Sequence, residues 1–143
     1  MIAEEVIPSI TARYRVSDDR SYYGHSLGGL FGAYALFQSP QLFKRMILVS
    51  PALYWDDGVI FRSEETFAVR NKTLSAEVFL AAGDLEVAPM IPNVDRFSEA
   101  LERRRYEGLK LHTRIFSDET HASIAGVAMT RGLRTLLREV AAK

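Results

Sequence analysis

The spacing of apolar residues along the chain predicts a series of short strands that alternate with helices. Runs dominated by apolar residues are typical of buried strands, and they occur at residues 21–23, 45–50 and 77–82. A fourth strand is predicted at 109–116, where apolar and polar positions alternate. Such alternation is expected for a strand with one wetter face at the edge of a sheet.

Helical spacing occurs in the segments around these strands. The predicted helices are residues 2–13, 27–37, 93–106 and 124–140. Pro8 is expected to kink or break the first helix, because proline has no amide donor for a helix interior. Gly108 is expected to end the third helix, and residues 52–74 are expected to be irregular, with a helix near 63–70. The apolar side chains expected to be buried are Val94, Phe97 and Leu101 on the third helix, and Leu133, Leu136, Leu137 and Val140 on the last.

Strands and helices that alternate in this order form parallel sheets with helical crossovers. A chain of 143 residues is long enough for one domain with a real core. We therefore expect residues 1–143 to form a single α/β domain, with a parallel sheet of about four strands and helices on both faces.

Composition narrows the classes of function. Lys and Arg together number 18, as do Asp and Glu, so the formal net charge is zero and offers no basic surplus for nucleic acid. No apolar run approaches the roughly 18 residues of a membrane span, and no signal-peptide pattern opens the chain. The absence of cysteine excludes disulfides and thiolate metal sites and fits a reducing compartment. We expect a cytoplasmic protein with no nucleic-acid, membrane or metal partner.

The stretch Gly24-His25-Ser26-Leu27-Gly28 has the pattern G-x-S-x-G between a predicted strand and a predicted helix. This is the layout of a nucleophile elbow, in which side chains at positions −2 and +2 would collide. The turn would lift the Ser26 hydroxyl clear of the sheet and aim the backbone N–H of Leu27 at a developing oxyanion. The competing interpretation is a glycine-rich helix start that only packs against the strand.

A serine hydroxyl needs a base to take its proton, and the chain has three histidines. His121 is the favoured base, because it lies in a polar loop after the last predicted strand, where parallel sheets place chemistry. His25 is expected to pack or to form a hydrogen bond near the site, and is a candidate pocket residue. His112 lies within a predicted strand and is expected to be a half-buried edge residue.

A carboxylate should orient the imidazole and stabilise its cation. Asp84 and Glu86 both follow the strand at 77–82. Glu86 is preferred, because the acid of this layout usually follows a glycine by three positions, as Glu86 follows Gly83. Asp84 is the alternative acid, although it is also suited to turning the loop. A serine–histidine pair with no strong acid stays open as a third arrangement.

Four blocks of sequence then carry a resemblance to a known family. They are YYGHSLGGLFGAYALF, LFKRMILVSPALYW, VFLAAGDLE and SDETHASIAGVAMTRGLRTLL, in this order between residues 20 and 137. The chain resembles the Putative esterase family of the α/β-hydrolase superfamily, which includes feruloyl and acetyl-xylan esterases, S-formylglutathione hydrolase and siderophore trilactone esterases. The resemblance implies Ser26 as nucleophile, Glu86 as acid and His121 as base, with no cofactor.

The resemblance covers only part of the family's fold. Members usually carry four strands ahead of the elbow strand, so the chain resembles the carboxyl-terminal half of the fold. The loop after the third strand, which supplies a second oxyanion donor, would then be missing. The outer edge of the strand at 21–23 would be open, and either a longer protein or a homodimer that meets at this edge would cover it.

The implied function is a serine hydrolase that cleaves a carboxylic ester of a small molecule through an acyl-enzyme on Ser26. One alternative is a weak or inactive remnant of such a hydrolase that acts as an interaction module. Another is a thioesterase or acyltransferase with the same machinery. Residues 52–74 are expected to form a pocket wall, with Trp55, Phe61 and Phe67 as apolar candidates. Trp55 could equally pack its loop against the elbow helix.

Overall fold

The computed structural model describes residues 1–138 and contains one parallel sheet. Its strands are β1 (Ser21–His25), β2 (Arg45–Val49), β3 (Thr73–Gly83) and β4 (Glu107–Phe116). They lie side by side in chain order, and every neighbouring pair is parallel. The predicted α/β class and the predicted number of strands are confirmed.

Helices connect the strands and flank the sheet. They are α1 (Ile7–Arg13), which follows a π-helical turn at Ile2–Val6, α2 (Leu27–Gln38), α3 (Trp55–Arg70), α4 (Met90–Arg104) and α5 (Ile124–Leu136). Pro8 lies in the first turn of α1, and its missing N–H falls where the π-helical hydrogen bonds of residues 2–6 give way to α-helical ones. The expected break near Pro8 is therefore a change of hydrogen-bonding pattern just before it.

The core has two parts, one on each face of the sheet. Strand β2 shows why, because Met46 and Leu48 contribute to one cluster of buried side chains and Ile47 and Val49 to the other. Helices α2, α3 and α4 cover the first face, and α5 covers the second. A strand buried on both sides reads as a continuous apolar run, which is how β2 was recognisable.

The expectation of a mainly irregular segment at 52–74 is wrong, because α3 occupies most of it. Its first turn is left-handed, and the regular helix follows. Its buried side chains are Ile60, Phe61, Glu64 and Ala68. The charged Glu64 interrupts the apolar residues on this face, so the helical spacing was not evident in the sequence. Phe61 is buried, and the partly buried Phe67 packs against the same core cluster while lining a groove with Pro40 and Asn71.

The predicted buried face of the last helix is also partly wrong. Leu133 and Leu137 are exposed, and Val140 lies outside the described residues. The face turned to the sheet consists of Ile124, Ala128, Gly132 and Leu136. A Cβ on Gly132 would come within 2.9 Å of the Ile47 side chain, so this small residue lets α5 approach the sheet closely. Small residues give a weak apolar signal, which is why the stripe was misplaced.

Both outer strands are edges in the described part of the chain, since β1 pairs with β2 alone and β4 with β3 alone. The predicted edge position of 109–116 is confirmed. Helix α4 begins earlier than expected and ends at Arg104, because Arg105 takes the left-handed conformation. Gly108 also has a positive φ, of 86°, but it lies within β4 rather than at the end of the helix. Among residues 1–138, none of the helices combines the length and the apolar character that crossing a membrane requires.

Candidate active site

The backbone turns sharply at Ser26, between the last residue of β1 and the first of α2. Its φ of 58° and ψ of −117° are sparsely populated for a residue with a side chain, so the turn is strained. The Ser26 N–H donates to the Val49 carbonyl at 3.0 Å, and the Ser26 carbonyl accepts from Leu30 at 3.0 Å and Ala52 at 3.1 Å. These bonds hold the strand–turn–helix geometry that the motif predicts.

The two glycines of the motif are not equally constrained. A Cβ on Gly24 would lie 2.5 Å from the Gly28 carbonyl carbon and 2.7 Å from the Tyr22 ring, which leaves no room for a side chain. A Cβ on Gly28 would meet only the Tyr22 hydroxyl, at 3.6 Å. That hydroxyl donates to the Gly28 carbonyl at 2.7 Å and ties β1 to the first turn of α2. The prediction that both positions must be small is thus satisfied strictly by Gly24 alone.

Leu27 occupies the first helical position of α2, directly after Ser26. The N–H groups of a helix's first turn have no intrahelical acceptor, and the helix dipole adds a partial positive charge there. The N–H of Leu27 is therefore suited to binding a negatively charged oxygen beside the serine, as the sequence predicts.

His121 and Glu86 meet at the same edge of the sheet. The Nδ1 of His121 donates to Oε2 of Glu86 at 2.8 Å. The side chain of Glu86 is 0% exposed, whereas that of His121 is 37% exposed. A buried carboxylate that holds a half-exposed imidazole fixes the ring's tautomer, with the proton on Nδ1 and a free lone pair on Nε2. The structure thus brings the preferred acid and the preferred base together.

Asp84 has a different partner. Its Oδ1 accepts the backbone N–H of Asp118 at 2.8 Å. This bond links the segment 83–86, called the acid loop below, to the segment 117–123, called the histidine loop. Among the two carboxylates that the sequence proposed, the geometry therefore favours Glu86 as the partner of the imidazole and Asp84 as a loop-forming residue.

The acid loop and the histidine loop are in close contact elsewhere too. The N–H of Leu85 donates to the Glu119 carbonyl at 3.1 Å. A Cβ on Gly83 would lie only 2.6 Å from the Glu119 carbonyl carbon and still closer to its oxygen. Glycine at position 83 is what allows the two loops to approach, and their approach sets the distance between Glu86 and His121.

Ser50 is a residue of the site to which sequence reasoning assigned no role. It is fully buried after β2, with φ of 41°, and its hydroxyl donates to Oε1 of Glu86. Both oxygens of the buried Glu86 carboxylate are thereby hydrogen-bonded, as burial of a charge requires. The available signal was a small hydroxyl residue at the carboxyl end of β2, the strand beside the one that precedes the acid.

His25 lies against His121, with ring centroids 4.5 Å apart and planes inclined by 40°. Its Nε2 is buried and has no hydrogen-bond partner among the described residues. Burial lowers the pKa of His25, as does the charge that the neighbouring His121 can carry, whereas a hydrogen bond to the His121 backbone and the Glu86 carboxylate act in the opposite direction. His112 contacts a different residue, because its Nε2 lies 3.0 Å from Oε1 of Glu77.

Trp55 is 56% exposed at the start of α3. The loop that leads to it is bonded to the elbow, because Ala52 donates to the Ser26 carbonyl. An indole this exposed is little packed against neighbouring elements, and a pocket role for Trp55 stays a prediction.

The hydroxyl of Ser26 makes no hydrogen bond within residues 1–138. Catalytic hydrogen bonds are often long in a site without substrate. The same described part of the chain contains no cluster of three His, Asp or Glu side chains that could hold a metal ion.

A parallel sheet with a strained serine turn after one strand, and an acid and a histidine after two later strands, defines the α/β-hydrolase class. The BES protein from Bacillus cereus has this fold, with a TM-score of 0.83 and 28% identity over 93% of this chain and 51% of its own. The model of the Putative esterase family matches residues 1–104, and the chain belongs to that family.

Two curated relatives carry names that state an activity. Ferri-bacillibactin esterase BesA of Bacillus subtilis is 31% identical in an alignment that covers 95% of this chain and 49% of the relative. The siderophore enterobactin esterase of Emericella nidulans is 30% identical in an alignment that covers 94% of this chain and 54% of the relative. The chain therefore spans about half the length of the curated relatives that it matches.

Proposed function

We propose that this chain carries the catalytic centre of a serine hydrolase that cleaves carboxylic esters. The observation that carries the proposal is the 2.8 Å bond between His121 and the buried Glu86, at the sheet edge where Ser26 forms a strained turn. A buried carboxylate behind a histidine, near a serine held in an elbow, is the arrangement that activates a hydroxyl nucleophile. Membership of an esterase family supports the same reaction class.

The mechanism assigns one role to each residue. Nε2 of His121 takes the proton of the Ser26 hydroxyl as Oγ attacks the ester carbonyl, and Glu86 stabilises the imidazolium that forms. The N–H of Leu27 donates to the oxyanion. His121 then protonates the leaving alcohol, and water, activated by the same histidine, releases the acid from the acyl-enzyme.

For the substrate, we propose an ester bond within a siderophore. The names of the two curated relatives support this class. A groove of about 230 Å³ beside the elbow has an almost wholly apolar lining, which suits the hydrophobic parts of such a ligand. It is lined by Leu27, Leu30, Phe31, Tyr34, Val59 and Ile60.

The second candidate is a weak or inactive remnant of such a hydrolase that acts as an interaction module. The chain spans about half of its relatives, and the loop that ordinarily gives a second oxyanion donor precedes the elbow strand. Loss of one such donor costs about 2.7–4 kcal/mol of transition-state stabilisation, or roughly 100- to 1,000-fold in rate. For the open edge of β1 we keep the proposal of a second copy of the chain, with the remainder of a longer polypeptide as the alternative.

A fluorophosphonate probe tests the proposal, because it reacts with activated serines whatever the natural ester. The wild-type chain and a Ser9→Ala control, which changes an exposed serine of α1, should both be labelled. Ser26→Ala should abolish the label and the hydrolysis of an activated phenyl ester. A wild-type chain that is folded but stays unlabelled would favour the remnant.

A further inference from the structure

Few contacts hold the ring of His121, the base of the proposed catalytic centre. The described part of the chain gives the His121 ring one side-chain hydrogen bond, from Nδ1 to Glu86. The ring is also partly exposed and lies in a loop. A ring fixed at one atom can still tilt about that bond, and a tilt moves Nε2, the atom that must reach the serine. A second contact is therefore needed to fix the ring plane.

The residue that supplies this contact stands next to the nucleophile. The ring of His25 lies 4.5 Å, centroid to centroid, from that of His121. Two residues earlier on the same face of β1, the Tyr23 hydroxyl donates to the Ala125 carbonyl in the first turn of α5 at 3.1 Å. Side chains of β1 therefore hold both the histidine loop and the helix after it, and the same strand ends in Ser26.

The chemical nature of the His25 ring, a neutral imidazole, also bears on how it acts on His121. A buried polar atom without a partner costs about 1–3 kcal/mol, and Nε2 of His25 is such an atom among the described residues. The titratable groups that face His25 are His121 from the histidine loop and Glu86 from the acid loop. A neutral ring in this position supports His121 without opposing the positive charge that His121 takes up during acyl transfer.

We propose that His25 is a positioning residue, whose neutral ring packs against His121 and fixes the plane of the catalytic imidazole relative to Ser26. The proposal rests on the proposed function and deepens it. His25 fixes the plane of the His121 ring, whereas Glu86 fixes its tautomer. Loss of either contact is therefore expected to lower turnover rather than to weaken substrate binding.

The test compares His25→Ala, which removes the ring, with His25→Phe, which keeps a flat ring that cannot titrate. We expect His25→Ala to lower kcat about 10- to 100-fold with KM changed less than about threefold, and His25→Phe to restore most of the loss. His112→Phe is the matched control, because it changes a histidine that pairs with Glu77 and should leave kcat unchanged. If His25→Ala does not fold, His25→Leu, which fills the space without a flat ring, replaces it in the comparison.

Nitrogen NMR of the His121 ring gives a readout that does not depend on turnover. In the wild-type chain it should report one tautomer with sharp signals, and in His25→Ala broadened or shifted ones. The proposal is overturned if His25→Ala leaves both kcat and the His121 signals unchanged. It is also overturned if His25→Ala and His25→Phe lower kcat equally. If the wild type is neither labelled nor active, the proposed function fails, and the NMR comparison alone decides whether His25 orients the ring.

Discussion

Gly83 offers the sharpest test of how the two loops set the site, because its substitution by alanine adds one methyl group at their closest approach. The new Cβ would lie 2.6 Å from the Glu119 carbonyl carbon and nearer still to the oxygen. Real Cβ atoms almost never come within 3.0 Å of such atoms, so the backbones must move apart by about 1 Å. Neither partner can give way by a side-chain rotation, because the obstructing atoms belong to the backbone.

That separation acts on the bonds between the loops. The distance from His121 Nδ1 to Glu86 Oε2 is 2.8 Å, and an added 1 Å would take it beyond hydrogen-bond range. Overpacking of this kind costs about 1–3 kcal/mol of folding free energy. A misplacement of about 1 Å in a catalytic group costs roughly 100-fold in rate. We therefore expect Gly83→Ala to lose both stability and ester hydrolysis, with the larger effect on hydrolysis.

Gly126→Ala is the matched control, because a Cβ at this position in α5 meets nothing within 4 Å. Alanine is favoured over glycine in a helix interior by up to about 1 kcal/mol, so the control should be neutral or slightly more stable. Urea unfolding and the turnover of a chromogenic ester measure the two effects. The reasoning is refuted if Gly83→Ala keeps the wild-type unfolding free energy and turnover, or if Gly126→Ala is equally damaged.

Three further changes probe other parts of the molecule. Tyr106→Phe removes a hydroxyl that donates to the buried Glu64 at 2.7 Å, and urea unfolding should show a loss of about 1.5–3 kcal/mol with turnover unaffected; no loss would contradict this. Ser50→Ala leaves one buried oxygen of Glu86 without a donor, and should cost about 1–3 kcal/mol and slow the enzyme, so a variant as stable and as fast as wild type would speak against it. Because burial lowers the pKa of His25, the folded chain binds fewer protons than the unfolded one, and stability should fall as the pH drops below the ordinary histidine value of 6.5. Urea unfolding on either side of that pH should show a shallower decline for His25→Phe, and an identical decline would count against the assignment.

The elements that could be predicted are those whose signals are local. The serine turn was recognisable because Gly24, Ser26 and Gly28 follow a strand and precede a helix, and the parallel sheet because its strands read as apolar runs. Glu86 was preferred over Asp84 from its place in the loop, and the geometry pairs Glu86 with His121.

The features that escaped prediction depend on contacts between distant segments. Ser50 reaches Glu86 only because β2 and β3 end side by side, which the sequence around Ser50 does not express. The stacking of His25 on His121 likewise depends on which face of β1 the ring occupies. The start of α3 was missed because its first turn is left-handed and because Glu64, a buried carboxylate, interrupts the apolar face of the helix. Arg104 and Tyr106, which satisfy Glu64, lie about forty residues away.

The bonds between the acid loop and the histidine loop have a consequence for how the site can come apart. Leu85 bonds to Glu119 and Asp84 to Asp118, so neither loop can detach from the sheet without breaking its bonds to the other. They should open as one cooperative unit, and their bonded amide hydrogens should exchange with solvent at a common rate. Lengthening either loop would disturb acid and base alike, so new substrate preferences are more readily acquired through changes around α3.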